Sequence, residues 1–369
     1  AIPLEALRLG FKTIAMEYEP VAYLILKATL EYPAKYGLKL YEDVRREVKR
    51  FIEWAQKNLG PYYVPNARIH IFARGVKCPN PDCRELVPII YTNALTKTGP
   101  YINIRVDKKQ KQFTVSISDV PTNFERLRCP FCNAPIPKEY VLKEWIKAHK
   151  ELLNIALRGD VEEARKIINK LLEVHIPLVK EEKGRFVACN DDDRDAFARA
   201  FIRLSSSIKE LKPFIPSGRI PEENEIFKEI RALGIEYWYE LFSPRQLLIL
   251  AELCRYVNKR IKELVQEHGE YGAAIGIYLS LGVSKFMNFN SIISEWHASR
   301  GVIRDVVGHY ARSKKMGFGL EYCEMPPLAP DPNRLLGWIF EPDIEKPTTT
   351  RGGILPILKQ LCVWLDGLG

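Results

Sequence analysis

Cys78-Pro79-Asn80-Pro81-Asp82-Cys83 and Cys129-Pro130-Phe131-Cys132 are the two segments on which the reading of this chain turns. Each places two thiols across a short turn, and Pro and Asn suit turns. Around them the sequence alternates apolar and polar: Ile102, Ile104 and Val106, then Phe113, Val115 and Ile117. A period of two predicts strands, here at 67–75, 87–92, 100–106 and 112–118, with Asp107-Lys108-Lys109-Gln110-Lys111 as the turn between the last two. A tetrahedral zinc needs four soft ligands at about 2.3 Å, and two hairpin tips can supply them. Cys78, Cys83, Cys129 and Cys132 are therefore the expected zinc ligands, and the stretch is an expected zinc ribbon. Disulfides or unliganded thiols are the alternatives, but two short pairs on strands make a stronger signal than either pair alone. The first pair has a longer gap between its thiols than the second. Four thiolates leave no open position for water, so such a metal is structural rather than catalytic.

Working outward, residues 2–9 read as a short helix that stops at Gly10. Lys12 to Met16 read as a buried strand ending in Glu17-Tyr18-Glu19. Pro20 then opens a helix through Val21, Leu24, Ile25 and Ala28, at the position where its missing N–H costs nothing. Helix, strand, acidic tip, helix is a fragment of an α/β unit. Val44, Val48, Phe51, Ile52, Ala55 and Leu59 place one apolar face on an amphipathic helix. After Pro137 the pattern predicts mainly helices. One opens on an Asp160–Glu163 capping box, one covers 189–212, and one starts at Ser243-Pro244 with Cys254 as a small core residue. The apolar stretch from Tyr271 to Trp296 reads as helical, and Ile354–Leu365 as a last helix after a proline-rich segment from about Pro326.

Of 369 residues, 46% are hydrophobic, enough for a real core. No apolar run is long enough to span a bilayer, and no basic-then-apolar leader opens the sequence. The expectation is a cytoplasmic protein with no membrane partner. Lys and Arg outnumber Asp and Glu by 55 to 46, a net charge of +9, which favours polyanionic partners. The wealth of Lys, Glu, Arg and Ile suits a heat-adapted source.

An acid at the end of an early strand often accepts hydrogen bonds from a ribose diol. Glu17 stands at such a place, with an ordinary solvated acid as the alternative. Four segments carry a resemblance here. They are Ile2–Gly10, Glu17-Tyr18-Glu19-Pro20-Val21-Ala22-Tyr23, the four cysteines, and Leu241-Phe242-Ser243-Pro244-Arg245-Gln246-Leu247-Leu248. Together they resemble the archaeal adenine-specific DNA methylases that contain a zinc ribbon, a family of S-adenosylmethionine-dependent methyltransferases. Gly317–Pro327 is a looser match, to that family's aromatic-acid-proline segment.

The resemblance implies an α/β fold: part of a Rossmann-like methyltransferase domain with a β-rich zinc-ribbon insertion and a largely helical insertion. It places the start of the α/β domain at 1–60, the ribbon at 61–137, a mainly helical target-recognition insertion at 138–325 and a return toward the core at 326–369. It assigns Glu17 to the ribose of S-adenosylmethionine, with Tyr18 or Glu19 beside the adenine. The family's Asp-Pro-Pro-Tyr signature does not occur in the sequence. Met325-Pro326-Pro327-Leu328 lacks the acid and the aromatic, and reads as a loop. No residue here is expected to be catalytic. The glycine-rich donor loop is expected before Ala1 and the catalytic motif beyond Gly369 or on a further polypeptide, so the chain alone should be inactive.

DNA is the expected partner. Lys108, Lys109 and Lys111 suit phosphate contacts, or equally a solvated turn whose lysines protect an edge. Arg300, Arg304, Arg312, Lys314 and Lys315, with His297, His309 and Tyr310 between them, suit backbone tracking and base stacking, or an exposed helix face. Two other functions stay open: a non-enzymatic zinc-ribbon nucleic-acid-binding subunit, and an RNA methyltransferase.

Overall fold

In β1 (Ala67–Lys77), Ile69, Ile71 and Ala73 alternate with His70, Phe72 and Arg74, and both sets are buried. A strand buried on both sides must lie inside a sheet that is covered above and below. The strands that follow are β2 (Leu86–Ile89), β3 (Tyr101–Asp107), β4 (Gln112–Ser118), β5 (His175–Glu182), β6 (Arg185–Ala188), β7 (Glu295–His297), β8 (Val302–Arg304) and β9 (Glu321–Glu324). β5 pairs along one edge of β1, and β6 pairs beyond it. The other edge is shared by β9, against His70–Ala73, and β2, against Arg74–Lys77. β3 pairs with β4 and β7 with β8 as separate ribbons.

The helices of this computed structural model, which describes residues 2–304, 306, 317–327, 339–340 and 353–365, are α1 (Ile2–Arg8), α2 (Pro20–Leu26), α3 (Tyr32–Leu59), α4 (Lys138–Arg158), α5 (Val161–Lys166), α6 (Ile168–Val174), α7 (Asp191–Leu211), α8 (Lys228–Ala232), α9 (Pro244–His268), α10 (Glu270–Met287) and α11 (Ile354–Trp364). The chain divides into two units, one of residues 60–252 and 287–326, the other of residues 1–59, 253–286 and 327–369.

In the first unit, Ile69, Ile71 and Ala73 pack with Leu95, Ile102, Leu178, Trp296 and Cys323. The opposite face of β1 meets helices. Phe72 lies 5.2 Å from the Phe197 ring of α7, and the Arg74 guanidinium lies 4.1 Å from the Trp145 ring of α4. In the second unit, Leu40, Val44, Val48, Phe51, Ala55 and Leu59 of α3 are buried, as are Leu279 and Phe286 of α10 and Leu355, Leu358 and Leu361 of α11. Phe51 stacks on Tyr256 at 5.3 Å, and Arg260 donates to Glu47 at 2.7 Å.

Among the described residues the fold is mixed α/β, with 55% helix and 17% strand. Each pairing of the named strands is antiparallel, so a Rossmann-like parallel sheet is not present among the described residues. Lys12–Met16 is not a buried strand. It is irregular and unpaired, with Ile14 91% and Met16 87% exposed, because no described strand lies beside it to accept its backbone. The helix expected through Trp296 ends at Met287, and β7 follows after a short irregular stretch. The region read as mainly helical also contains β5 and β6.

Candidate metal centre

The first knuckle is the tip of the β1–β2 hairpin, where Lys77 pairs with Leu86 and the Cys78 N–H donates to the Glu85 carbonyl at 2.8 Å. Its longer gap is taken up locally. Asn80 Oδ1 accepts from the Asp82 N–H at 3.0 Å, and the Cys83 N–H returns to the Asn80 carbonyl at 3.0 Å. The turn proper therefore runs from Asn80 to Cys83, with Pro79 leading into it. The second knuckle repeats the plan. The Cys129 N–H donates to the Ala134 carbonyl at 2.9 Å, and the Asn133 N–H to the Cys129 carbonyl at 2.8 Å. The residue after the last thiol of each knuckle is left-handed, Arg84 with φ 53° and Asn133 with φ 62°. This reversal turns each thiol inward.

The two hairpin tips meet. Cys78 Sγ lies 3.7 Å from Cys132 Sγ, and Cys83 Sγ lies 3.7 Å from Cys129 Sγ. All four sulfurs fall within 4.8 Å of one another. A tetrahedron with metal–sulfur bonds of about 2.3 Å has edges of about 3.8 Å. The cage thus has the size a four-thiolate zinc needs, and the donor set is the one zinc takes in structural sites. Burial pushes the Cys78 thiol up to about 12, while the Ala134 N–H holds Cys132 down to about 7. A divalent cation would hold all four as thiolates. Asn80 Nδ2 also approaches Cys132 Sγ at 3.7 Å, a donor aimed at that sulfur.

A second group, His70, Cys189 and Asp193, also comes within 4.8 Å. It already has its cation. Lys180 Nζ lies 3.0 Å from Asp193 Oδ2, and His70 Nε2 lies 3.1 Å from Oδ1. Burial raises the Asp193 carboxyl, but His70, the Asn190 N–H and Lys180 outweigh it and hold it at about 2. This is a buried ion pair that also caps α7 through Asn190.

Between the sheet and α4 runs a chain of hydrogen bonds that the sequence did not disclose. His149 Nε2 lies 3.0 Å from the Glu240 carbonyl, His149 Nδ1 lies 3.2 Å from His175 Nε2, and His175 Nδ1 lies 2.8 Å from the Tyr322 hydroxyl. A carbonyl only accepts, so His149 donates from Nε2 and accepts at Nδ1. His175 must then donate from Nε2 and accept the Tyr322 proton at Nδ1. Burial lowers both imidazoles, His149 to about 3 and His175 well below its ordinary value. Both rings are neutral, and the direction of every bond is fixed.

The proposed cofactor residues are not brought into a site. Glu17 and Tyr18 are exposed at the end of the unpaired segment, Tyr18 completely so. Nothing among the described residues walls a nucleoside beside them, so they do not by themselves fit S-adenosylmethionine. Lys108, Lys109 and Lys111 are exposed at the β3–β4 turn, and Lys111 reaches Glu85 at 3.0 Å. Arg300 is exposed, Arg304 lies 3.6 Å from Glu295, and His297 Nδ1 lies 3.1 Å from the Ser299 hydroxyl. His309, Tyr310, Arg312, Lys314 and Lys315 lie outside the described residues. No described helix is long and apolar enough to cross a membrane. No protein-family model, curated protein or solved structure matches this chain.

Proposed function

We propose that this chain is the zinc-stapled target-recognition segment of an S-adenosylmethionine-dependent DNA methyltransferase of the adenine-N6 type. The observation that carries the reading is the layout of residues 2–26: α1, an irregular segment with no strand partner, an acidic tip, then α2 capped by Glu19. Phe11, Ile14 and Met16 are apolar and exposed. A parallel sheet covered on both faces would bury such an apolar segment as a strand. In the methylases that the sequence resembles, a strand of this kind carries the ribose-binding acid, here Glu17. These residues alone do not enclose a donor, so no chemical step is assigned to them. The part assigned to the chain is recognition: a basic surface held in shape by a closed metal site.

Fluorescence anisotropy with duplex DNA and transfer of labelled methyl groups to adenine test the reading together. The expected result is salt-dependent DNA binding with no transfer by the chain alone. N6-methyladenine should appear once a polypeptide bearing the glycine-rich loop and Asp-Pro-Pro-Tyr is added. Robust methylation by this chain alone, or no affinity for nucleic acid, overturns it. A second reading, a non-enzymatic zinc-ribbon nucleic-acid-binding subunit, draws on the exposure of Glu17 and Tyr18. It expects binding and no transfer with any added polypeptide. Replacing duplex DNA by RNA in both assays tests the RNA methyltransferase alternative.

A further inference from the structure

Away from the thiols, the first unit contains a cavity of about 500 Å³ between the second knuckle's approach, β7–β8 and β9. That is the size of pockets that take one small organic ligand. Its inner wall holds two carboxylates. Glu321 is 4% exposed, and its Oε2 accepts from the Tyr91 N–H at 2.6 Å. Glu295 lies over Gly319, where a Cβ would come within 2.4 Å of Glu295 Oε1, so the glycine leaves the room that this carboxylate fills. Arg304 sits beside Glu295 at 3.6 Å, and its buried Nε has no hydrogen-bond partner among the described residues. At the mouth, the Arg126 guanidinium lies over the Tyr91 ring at 4.5 Å, Tyr91 is 57% exposed, and Lys138 is exposed.

The geometry points to a binding site for a guanine nucleotide, with the base edge on Glu321 and the phosphate on Arg126 and Lys138. The charges set the class. Three cations and two carboxylates line the cavity, a balance that suits an anion which also carries N–H donors. A lone cation would be repelled by the mouth. A carboxylate presents two adjacent acceptors. Guanine offers two adjacent donors, N1–H and the 2-amino group. Adenine and cytosine set a ring acceptor beside their amino group and would meet the second carboxylate oxygen acceptor to acceptor. Tyr91 and Arg126 give the flat face on which a base or a sugar-phosphate turn can rest. The nucleotide can be free or part of a single strand, since the chemistry is shared. The inference stands apart from methyl transfer and holds under either reading above.

Calorimetry tests it with guanosine 5′-monophosphate, adenosine 5′-monophosphate, guanosine and inorganic phosphate. Burial lifts the Glu321 carboxyl to about 7, so the titrations are run at pH 8, where it is ionised. The guanine nucleotide should bind at least about tenfold tighter than the adenine nucleotide, because a mismatched edge leaves polar groups unpaired. Guanosine, lacking the phosphate, should bind more weakly. Glu321→Gln should abolish the preference. Arg126→Ala, at an exposed position, should weaken the nucleotide by more than it weakens guanosine, because only the nucleotide also loses a phosphate contact. A thymidine oligonucleotide with one dG, set against one with none, separates a strand from a free nucleotide: binding of either the free nucleotide or the dG strand supports the site. Equal affinity for the guanine and adenine nucleotides overturns it. So does phosphate binding as tightly as the guanine nucleotide, or a guanine preference that survives Glu321→Gln.

Discussion

Arg245 and Glu324 form a wholly buried ion pair, Nε to Oε1 at 2.8 Å and the second guanidinium nitrogen to Oε2 at 3.3 Å. The pair fastens α9 to β9. The Tyr63 hydroxyl gives Glu324 Oε1 a third bond at 2.5 Å, and Arg245 also donates to the Tyr62 carbonyl at 3.1 Å. Removing one partner of such a pair leaves a buried charge without compensation, which costs about 3–5 kcal/mol. Arg245→Met should therefore lower the stability of the chain by about that amount in urea unfolding. Tyr63→Phe removes one donor and keeps the ion pair, so its cost should be about 1–3 kcal/mol. Equal losses for the two substitutions would mean that the pair is not what holds the helix.

Metal content is the most direct measurement. Elemental analysis of the purified chain should find about one zinc per molecule, with the four thiolates as its ligands. Cys129→Ser and Cys132→Ser should each release it. The Cys129 side should suffer more, because Cys129 is 1% exposed, whereas Cys132 is exposed. A chelator should lower thermal stability, since metal affinity is folding free energy. A chain that stays equally stable and metal-free would leave the cage as four unliganded thiols.

Gly75 supplies a packing test in the same hairpin. A Cβ placed there would lie 1.6 Å from the Glu173 carbonyl oxygen at the end of α6. That neighbour is backbone and cannot rotate away, so Gly75→Ala must separate α6 from β1. Overpacking of this kind costs about 1–3 kcal/mol or more. Gly60→Ala is the control, because nothing lies within 4 Å of its Cβ position and its φ is not left-handed. The comparison is made on unfolding midpoints. A Gly75→Ala protein as stable as the Gly60→Ala protein would contradict the close approach.

The ribbon was legible because its code is local. Period-two alternation and paired thiols predict β1 to β4 and the metal cage without knowledge of the rest of the chain, and the four strands lie within a few residues of their expected places. β5 and β6 were hidden for a physical reason. Pro177 interrupts β5, and Lys180 and Glu181, which look like surface residues, are buried in pairs with Asp193 and Arg68. The readable signal was Lys183-Gly184, a two-residue hairpin turn with φ of 50° and 78°. Lys12–Met16 misled in the other direction. Its apolar residues fit a buried strand, but burial depends on a neighbouring sheet, and a sequence window cannot supply one. The His149–His175–Tyr322 chain joins residues far apart in sequence, so no spacing reports it.

Those histidines set a pH dependence. The folded chain holds His149 near 3 and depresses His175 and His70 as well, in each case first through burial. Unfolded, a histidine titrates near 6.5. Below that pH the unfolded chain binds protons that the folded chain refuses, so stability falls as pH falls from about 6.5, by up to about 1.4 kcal/mol per unit for each histidine. Glu321 works the opposite way. Its carboxyl is raised to about 7 by burial, so its contribution is complete below about 4.5 and is lost as pH rises through 7. Three histidines outweigh one carboxyl between 4.5 and 6.5. Urea midpoints should fall across that window on acidification, and Glu321→Gln should steepen the fall. A flat profile would mean that the imidazoles are not held neutral.

Nucleic-acid binding should depend on the β3–β4 turn. Asp107 Oδ1 accepts from the Lys109 N–H at 2.8 Å and the Gln110 N–H at 3.0 Å, so the turn is fixed by the Asp107 carboxylate. Lys108 and Lys109 then project without supporting the fold, and Lys108→Ala with Lys109→Ala should leave the unfolding midpoint unchanged. Each phosphate contact removed lowers the slope of log K against log salt by about 0.9 on duplex DNA and weakens all sequences alike. If both lysines touch phosphates, the double variant should lose about two units of slope. Lys111 is tied to Glu85 at 3.0 Å and should contribute less. The measurement is anisotropy at four or more salt concentrations. An unchanged slope with unchanged affinity would assign these lysines to guarding the hairpin and would move the phosphate contacts to another face of the chain.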